Sequence, residues 1–114
     1  WYKMLLIKRG DVWWVDFNTS TGGEIKKTRP AVVVSNNSSN HLLNRIQVVP
    51  LTSSVDKCYP SEAYVFLNGI KSKAKPDQIM TISKERLKRK ISVLSCGDMQ
   101  LIEQAIKIQL SLAF

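Results

Sequence analysis

Cysteine and histidine are scarce in this 114-residue chain, where Cys58, Cys96 and His41 are the whole supply. The two cysteines lie far apart without metal-ligand spacing, so a zinc site is all but excluded and no metal or other cofactor is expected. A reduced, cytosolic chain is the default for so little cysteine. Long apolar runs are also missing. The opening Trp-Tyr-Lys-Met-Leu-Leu-Ile is interrupted by Lys8 and Arg9, so neither a bilayer span nor a signal peptide is read here. Glycine-rich phosphate cradles are absent, because Gly22-Gly23 lacks the lysine and helix such loops use. No nucleophile and base stand in a protease-like arrangement, and His41 sits in an Asn/Ser-rich turn. Acidic residues are few as well: 9 Asp+Glu against 17 Lys+Arg leave a formal charge of +8 and a sequence pI near 9.7. That balance suits a polyanionic partner such as nucleic acid.

The length and a 44% hydrophobic content are enough for one domain with a real core. Residues 1–8 read as an N-terminal extension, with Trp1 to Lys3 set aside from the functional argument, and residues 9–114 as a single domain. Six short strands are expected: Asp11 to Phe17, Ala31 to Val34 beginning directly after Pro30, Arg45 to Leu51, Ala63 to Leu67 before Asn68-Gly69, Gln78 to Ile82, and Ile91 to Leu94. A helical turn fits Asn36 to Asn44 around His41 and Leu42. With no long helix between strands, antiparallel pairing in a small all-β barrel or sandwich follows. Ser95 and Asp98 resemble a capping arrangement, and apolar residues at helical spacing from Gly97 to Leu112 make the one long helix. Met99, Leu101, Ile102, Ala105, Ile106, Ile108, Leu110 and Leu112 cover an arc of about 200°, wider than one barrel needs. That face meets either a second chain or the interior of its own domain.

The basic residues are clustered. Residues 71–90 hold eight Lys/Arg with only Asp77 and Glu85 among them, and Lys26, Lys27 and Arg29 form a second cluster. Together they point to phosphate binding, although Lys88-Arg89-Lys90 taken alone reads as solvated surface. Thr28-Arg29-Pro30 sets an arginine at the mouth of a proline-locked strand, and Leu51-Thr52-Ser53-Ser54 sets hydroxyls at the end of another. A guanidinium held this way suits a phosphoryl group, since its planar fork donates two hydrogen bonds at any relevant pH. Its bland alternative is an ion pair with Asp11, Asp16 or Glu24. Arg9-Gly10-Asp11 spells an adhesion tripeptide but is read as a strand entrance. Trp13 and Trp14 face opposite sides of one strand, so one of them is core.

Over Arg9 to Leu112 the chain resembles the MazF/PemK (Kid) toxins of bacterial toxin–antitoxin systems. Arg9-Gly10-Asp11-Val12-Trp13 is similar to the family's opening strand. Thr28-Arg29-Pro30-Ala31-Val32-Val33-Val34 is similar to its Arg-Pro strand, and Val49-Pro50-Leu51-Thr52-Ser53 to its apolar-Thr-Ser strand end. Asp77-Gln78 resembles the Asp-Gln of the PemK branch. The resemblance implies a mainly β, SH3-like small barrel with a C-terminal helix, and usually a homodimer. The implied activity is metal-independent endoribonuclease cleavage of single-stranded RNA, neutralised by an antitoxin with an acidic tail.

Carried over residue by residue, Arg29 takes the role of the arginine that stabilises the transition state, and Thr52 that of the catalytic threonine. Lys75 and Asp77 match a basic residue and an aspartate of the PemK branch. Asp77 is then a candidate base, or else reads a base edge or pairs with a lysine. RNA contacts fall to Glu24, Lys26, Lys27, Ser53, Lys75 and Gln78, with Trp14 as a stacking platform if it faces out. Met99, Ile102 and Ile106 are the expected dimer contacts. Gly23 stands where the PemK branch has a histidine, which leaves that proton-transfer route without its group. The rival class is a non-cleaving toxin or nucleic-acid-binding module on the same barrel, such as a toxin that binds topoisomerase.

Overall fold

The computed structural model of the chain describes residues 7–17 and 28–113. Glu24, Lys26, Lys27 and Gly23 lie outside the described residues. Seven strands form one curled antiparallel sheet: β1 (Asp11–Asp16), β2 (Thr28–Val33), β3 (Arg45–Thr52), β4 (Ala63–Leu67), β5 (Ile70–Ala74), β6 (Met80–Ser83) and β7 (Leu87–Val93). Its order is β4-β5-β3-β2-β1-β7, with β6 also paired to β3. The sheet curls into the small barrel expected, left half-open because β4 and β7 do not pair. Helix α1 (Asn37–Leu42) links β2 to β3, and helix α2 (Cys96–Leu110) closes the chain.

Alternation along the strands builds a core on each face of the sheet. Trp13, Val15, Ala31, Val33, Ile46, Val48, Ile82 and Leu87 form one of them, and Ile7 from the assigned extension joins it. Val12, Val32, Val49, Leu51, Val65 and Ala74 form the other core, roofed by Met99, Ile102 and Ala105 of α2. Trp13 is therefore the core tryptophan, while Trp14 stays half-exposed.

The second core accounts for half of the apolar arc on α2, through Met99, Ile102, Ala105 and Ile106. Met99 and Ile102, expected at a dimer interface, are 7% and 0% exposed against their own sheet. They have no surface left for a partner. Ile106 is half-buried beside the same core. The exposed apolar residues near this end are Leu101, Ile108, Leu110 and Leu112.

Helix α2 starts where the capping pair sets it. The Ser95 hydroxyl accepts from the Asp98 N–H at 3.1 Å, satisfying one of the orphan donors of the first turn. The Asp98 carboxylate sits at the positive end of the helix and accepts from the Phe66 N–H at 2.9 Å, tying α2 to the edge strand β4. The helix ends on Ser111 in the left-handed conformation, with the Leu112 N–H donating to Lys107 at 2.8 Å.

The Arg9-Gly10-Asp11 entrance is structural. Gly10 takes φ +96, which only glycine adopts readily, and Met99 packs over it. Arg9 pairs with Glu103 at 2.9 Å. Asp11, 2% exposed, pairs with Lys90 at 3.5 Å and accepts from the Lys8 N–H at 2.9 Å.

Candidate functional site

Arg29 and Thr52 lie at opposite strand ends, and antiparallel register brings them together. Strands β2 and β3 pair as Val33↔Val48, Val32↔Val49 and Ala31↔Pro50. Two more steps in the same register set Arg29 opposite Thr52. The ladder stops before reaching them, for a reason visible in the sequence: Pro30, in phase with Val34 whose N–H donates to β3, has no N–H to donate, while Pro50 turns its carbonyl the other way, to the Lys75 N–H at 3.1 Å. Beyond Pro50, β3 changes partner and pairs with β5 through Leu51↔Ala74 and Thr52↔Lys73. Where β3 leaves β2, a cleft of about 430 Å³ opens, lined by Trp14, Arg29, Pro30, Leu51, Thr52, Ser53, Leu67 and Ser72.

Register also explains the floor of this cleft. Trp14 pairs with Pro30, Leu51 with Ala74, and Val65 with Ser72. These residues alternate in phase with the core residues Val12, Val32 and Val49. The floor is thus the continuation, past the roof of α2, of the same apolar sheet face. At its rim stand a guanidinium and two hydroxyls. Among the described residues, Arg29 is the sole titratable side chain of the lining, and it has no hydrogen-bond or ion-pair partner; the pairs weighed with Asp11 and Asp16 do not form. The Thr52 Oγ1 accepts from the Ser54 N–H at 3.1 Å, so its own proton remains available to donate outward.

The remaining candidates divide. Ser53 lines the cleft, while Lys75, Asp77 and Gln78 do not. Asp77 and Gln78 are exposed on a one-turn 3-10 helix, Pro76–Gln78, that packs against α2 and β3. Lys75 is turned to Glu62 at 3.7 Å, and Lys73 reaches the same carboxylate at 3.4 Å. Alternation on β5 sends Ser72 to the cleft floor and Lys71 and Lys73 to the other face, and Lys75 follows the end of the strand.

Lys73, Tyr64 and Glu62 hold the loop that runs from Thr52 to Glu62. Lys73 donates to the Lys57 carbonyl at 2.8 Å, the Tyr64 hydroxyl donates to the Val55 carbonyl at 2.6 Å, and the Tyr59 N–H donates to Glu62 at 3.1 Å. The Tyr59 bond, with Lys73 and Lys75 behind it, holds the Glu62 carboxyl below its ordinary value of 4.5 against the opposing effect of burial. A carboxyl lowered by folding contributes stability above its unfolded pKa and loses it as the pH falls through and below that range. Glu62→Gln is therefore expected to melt below the parent protein at pH 7, the gap closing in acid. Equal melting temperatures at neutral pH would refute the assignment.

One residue of the cleft's surroundings was passed over in sequence. Arg89, inside a run read as solvated surface, pairs in register with Trp14 on the neighbouring strand and is exposed. The signal lay in the pairing of β7 with β1, which composition does not carry. Among the described residues no group of three His, Cys, Asp or Glu is placed to hold a metal ion, and no helix is long and apolar enough to cross a membrane.

Residues 8–110, which include both sides of this cleft, match the family described as PemK-like, MazF-like toxin of type II toxin–antitoxin system. The chain belongs to this toxin family. It is 35% identical over 116 residues to Endoribonuclease MazF9 of Mycobacterium tuberculosis (strain ATCC 25618 / H37Rv), covering 94% of this chain and 98% of that protein. Among solved structures, an endoribonuclease in complex with its cognate antitoxin from Mycobacterial species superposes with a TM-score of 0.80 at 22% identity, covering 95% of this chain and 98% of the other. MazF from Deinococcus radiodurans gives a TM-score of 0.76 at 20% identity, covering 92% and 96%. The toxin fold thus extends over nearly the whole chain.

Proposed function

We propose that this PemK/MazF-like toxin is an endoribonuclease that cuts single-stranded RNA without a metal ion. The observation that carries the reading is the convergence of Arg29 and the Thr52 hydroxyl on one cleft with no acidic side chain in its described lining. The relative named an endoribonuclease supports the same reading.

In this reaction the ribose 2′-oxygen attacks the adjacent phosphorus, the bond from phosphorus to the 5′-oxygen breaks, and a 2′,3′-cyclic phosphate and a 5′-hydroxyl result. Negative charge builds on the non-bridging oxygens as the phosphorane forms. Arg29 brings a permanent cation to that point, and the Thr52 hydroxyl donates a hydrogen bond to one of those oxygens, while the 2′-hydroxyl proton passes to solvent and the departing 5′-oxygen takes one from solvent. Preorganised donors of this kind cost no reorganisation when the charge appears. The described lining supplies no proton acceptor for the 2′-hydroxyl. Asp77, first assigned that task, is exposed on its 3-10 turn outside the lining, and reading a base edge or pairing with a lysine suits that position better.

The test is incubation of a long single-stranded RNA with the protein in excess EDTA, followed by analysis of the ends. Cleavage leaving cyclic phosphate and 5′-hydroxyl ends is expected. Intact RNA, or 5′-phosphate products, would refute the mechanism.

The partner belongs to the same proposal. An antitoxin segment rich in Asp and Glu would neutralise a chain of net charge +8 and cover the cleft. The exposed Leu101, Ile108, Leu110 and Leu112 support a homodimer. Sedimentation at micromolar concentration showing only a 12.9 kDa species would remove that element.

A further inference from the structure

We propose that the cleft floor is a nucleobase subsite in which Ser72 reads the base edge and Trp14 supplies the stacking face, with Arg89 holding a neighbouring phosphate. The inference rests on the RNA-cleaving reading and adds the residues that choose the sequence.

Ser72 is an anomaly on this face. It is only 6% exposed, yet its hydroxyl has one bond among the described residues, a 3.5 Å contact to the Ile70 carbonyl at the outer limit for an O–H donor. Buried hydroxyls normally find close partners, because leaving one unpaired costs free energy. Here the hydroxyl lines a cleft whose other floor residues, Trp14, Pro30, Leu51 and Leu67, are apolar or aromatic. A flat apolar floor carrying one under-bonded polar group matches the chemistry of a nucleobase, which has π faces and a hydrogen-bonding edge. A serine hydroxyl can donate to or accept from that edge.

Size and charge agree with this occupant. At about 430 Å³ the cleft falls in the range that encloses small organic ligands. Across the sheet, Arg89, Trp14 and Pro30 stand in one register row. A base lying on Trp14 therefore has a phosphate site on either side, Arg29 toward Thr52 and Arg89 on β7. Aliphatic ligands of the same size would use the floor but neither arginine.

A cleavage-resistant oligonucleotide, 2′-O-methylated at the attacking ribose, separates base reading from catalysis. Oligonucleotides are drawn from the cleavage sequence mapped with the parent protein on a random RNA pool, or selected by binding if no cleavage occurs. Ser72→Ala is expected to weaken binding of the preferred sequence about tenfold, the equivalent of one hydrogen bond. Binding of the sequence changed at the base nearest the scissile phosphate should stay the same, so the preference at that one position relaxes. Arg89→Ala is expected to weaken all sequences alike and to reduce the slope of log affinity against log salt by about 1. Circular dichroism melts confirm that both variants are folded. A Ser72→Ala protein with unchanged preference at every position, or with equal losses on every sequence, would overturn the proposal. If the parent protein never cleaves and Ser72→Ala still relaxes its binding preference at one position, the base subsite stands and the nuclease reading falls.

Discussion

Arg29→Ala is expected to lower kcat/KM for RNA cleavage about 10²- to 10³-fold, the usual effect of removing one preorganised donor from a developing oxyanion. The loss should fall mainly on kcat, because the guanidinium interacts most strongly with charge that appears only in the transition state. Arg29→Lys should recover little. An ammonium keeps the charge but lacks the planar fork that meets two oxygens at once. The variant should fold normally, since Arg29 is only partly buried and has no partner among the described residues. Steady-state kinetics on a short RNA, with a thermal melt as control, decide the matter. Cleavage within threefold of the parent would show that another cation does the work.

The second large effect is on stability. Ile102 is fully buried between α2 and the sheet, in contact with a core that includes Val12, Val49 and Val65. Ile102→Ala is expected to destabilise the protein by about 2–5 kcal/mol, combining lost transfer energy with the cavity left behind. For a side chain packed inside its own chain, that loss should be the same across a tenfold range of protein concentration. Ile102 at a subunit contact would instead give a loss that shrinks as concentration rises. Denaturant titrations at two concentrations distinguish these outcomes. A change below 0.5 kcal/mol, about the scale of surface substitutions, would contradict the packing described.

Local signals were legible in the chain wherever the physics is local. Ser95 and Asp98 mark the start of α2 because a cap involves only residues three apart. Strands β1, β3 and β4 declare themselves through β-branched and aromatic content, and the Asn-rich stretch after β2 holds its helical turn as α1. Strand β5 escaped, since Ile70-Lys71-Ser72-Lys73-Ala74 reads as part of a charge cluster. The Asn68-Gly69 pair before it, with φ of 51 and 82, was the missed clue to a tight hairpin that demands a returning strand. Strand β2 begins earlier than expected and runs through Pro30, tolerated because the ladder to β3 starts only at Ala31. The later strands were displaced too, β6 beginning after the 3-10 turn and β7 four residues earlier than read.

What stayed hidden depends on long-range register. No pattern within β1 says whether Trp13 or Trp14 faces inward when both sides of the sheet have a core. Nor does the arc on α2 say by itself which of its residues, here Met99, Ile102 and Ala105, roof the sheet and which stay exposed. The partnership of Arg29 with Thr52 was reachable through family resemblance but not from spacing, because it arises from the pairing of two strands separated by α1. Lys75 and Asp77 lie past the end of β5, the lysine turned to Glu62 and the aspartate on the 3-10 turn, positions that spacing does not reveal.

The proline at the mouth of the cleft has one more consequence. A gap maintained by loose side chains could anneal into continuous sheet, whereas this one is written into the covalent chain at Pro30, which has no N–H to offer β3. Between the described strands the groove therefore does not depend on a ligand to part them. Encounter should then be governed by diffusion in the field of a cationic surface, making capture fast in dilute electrolyte and progressively slower as counterions accumulate.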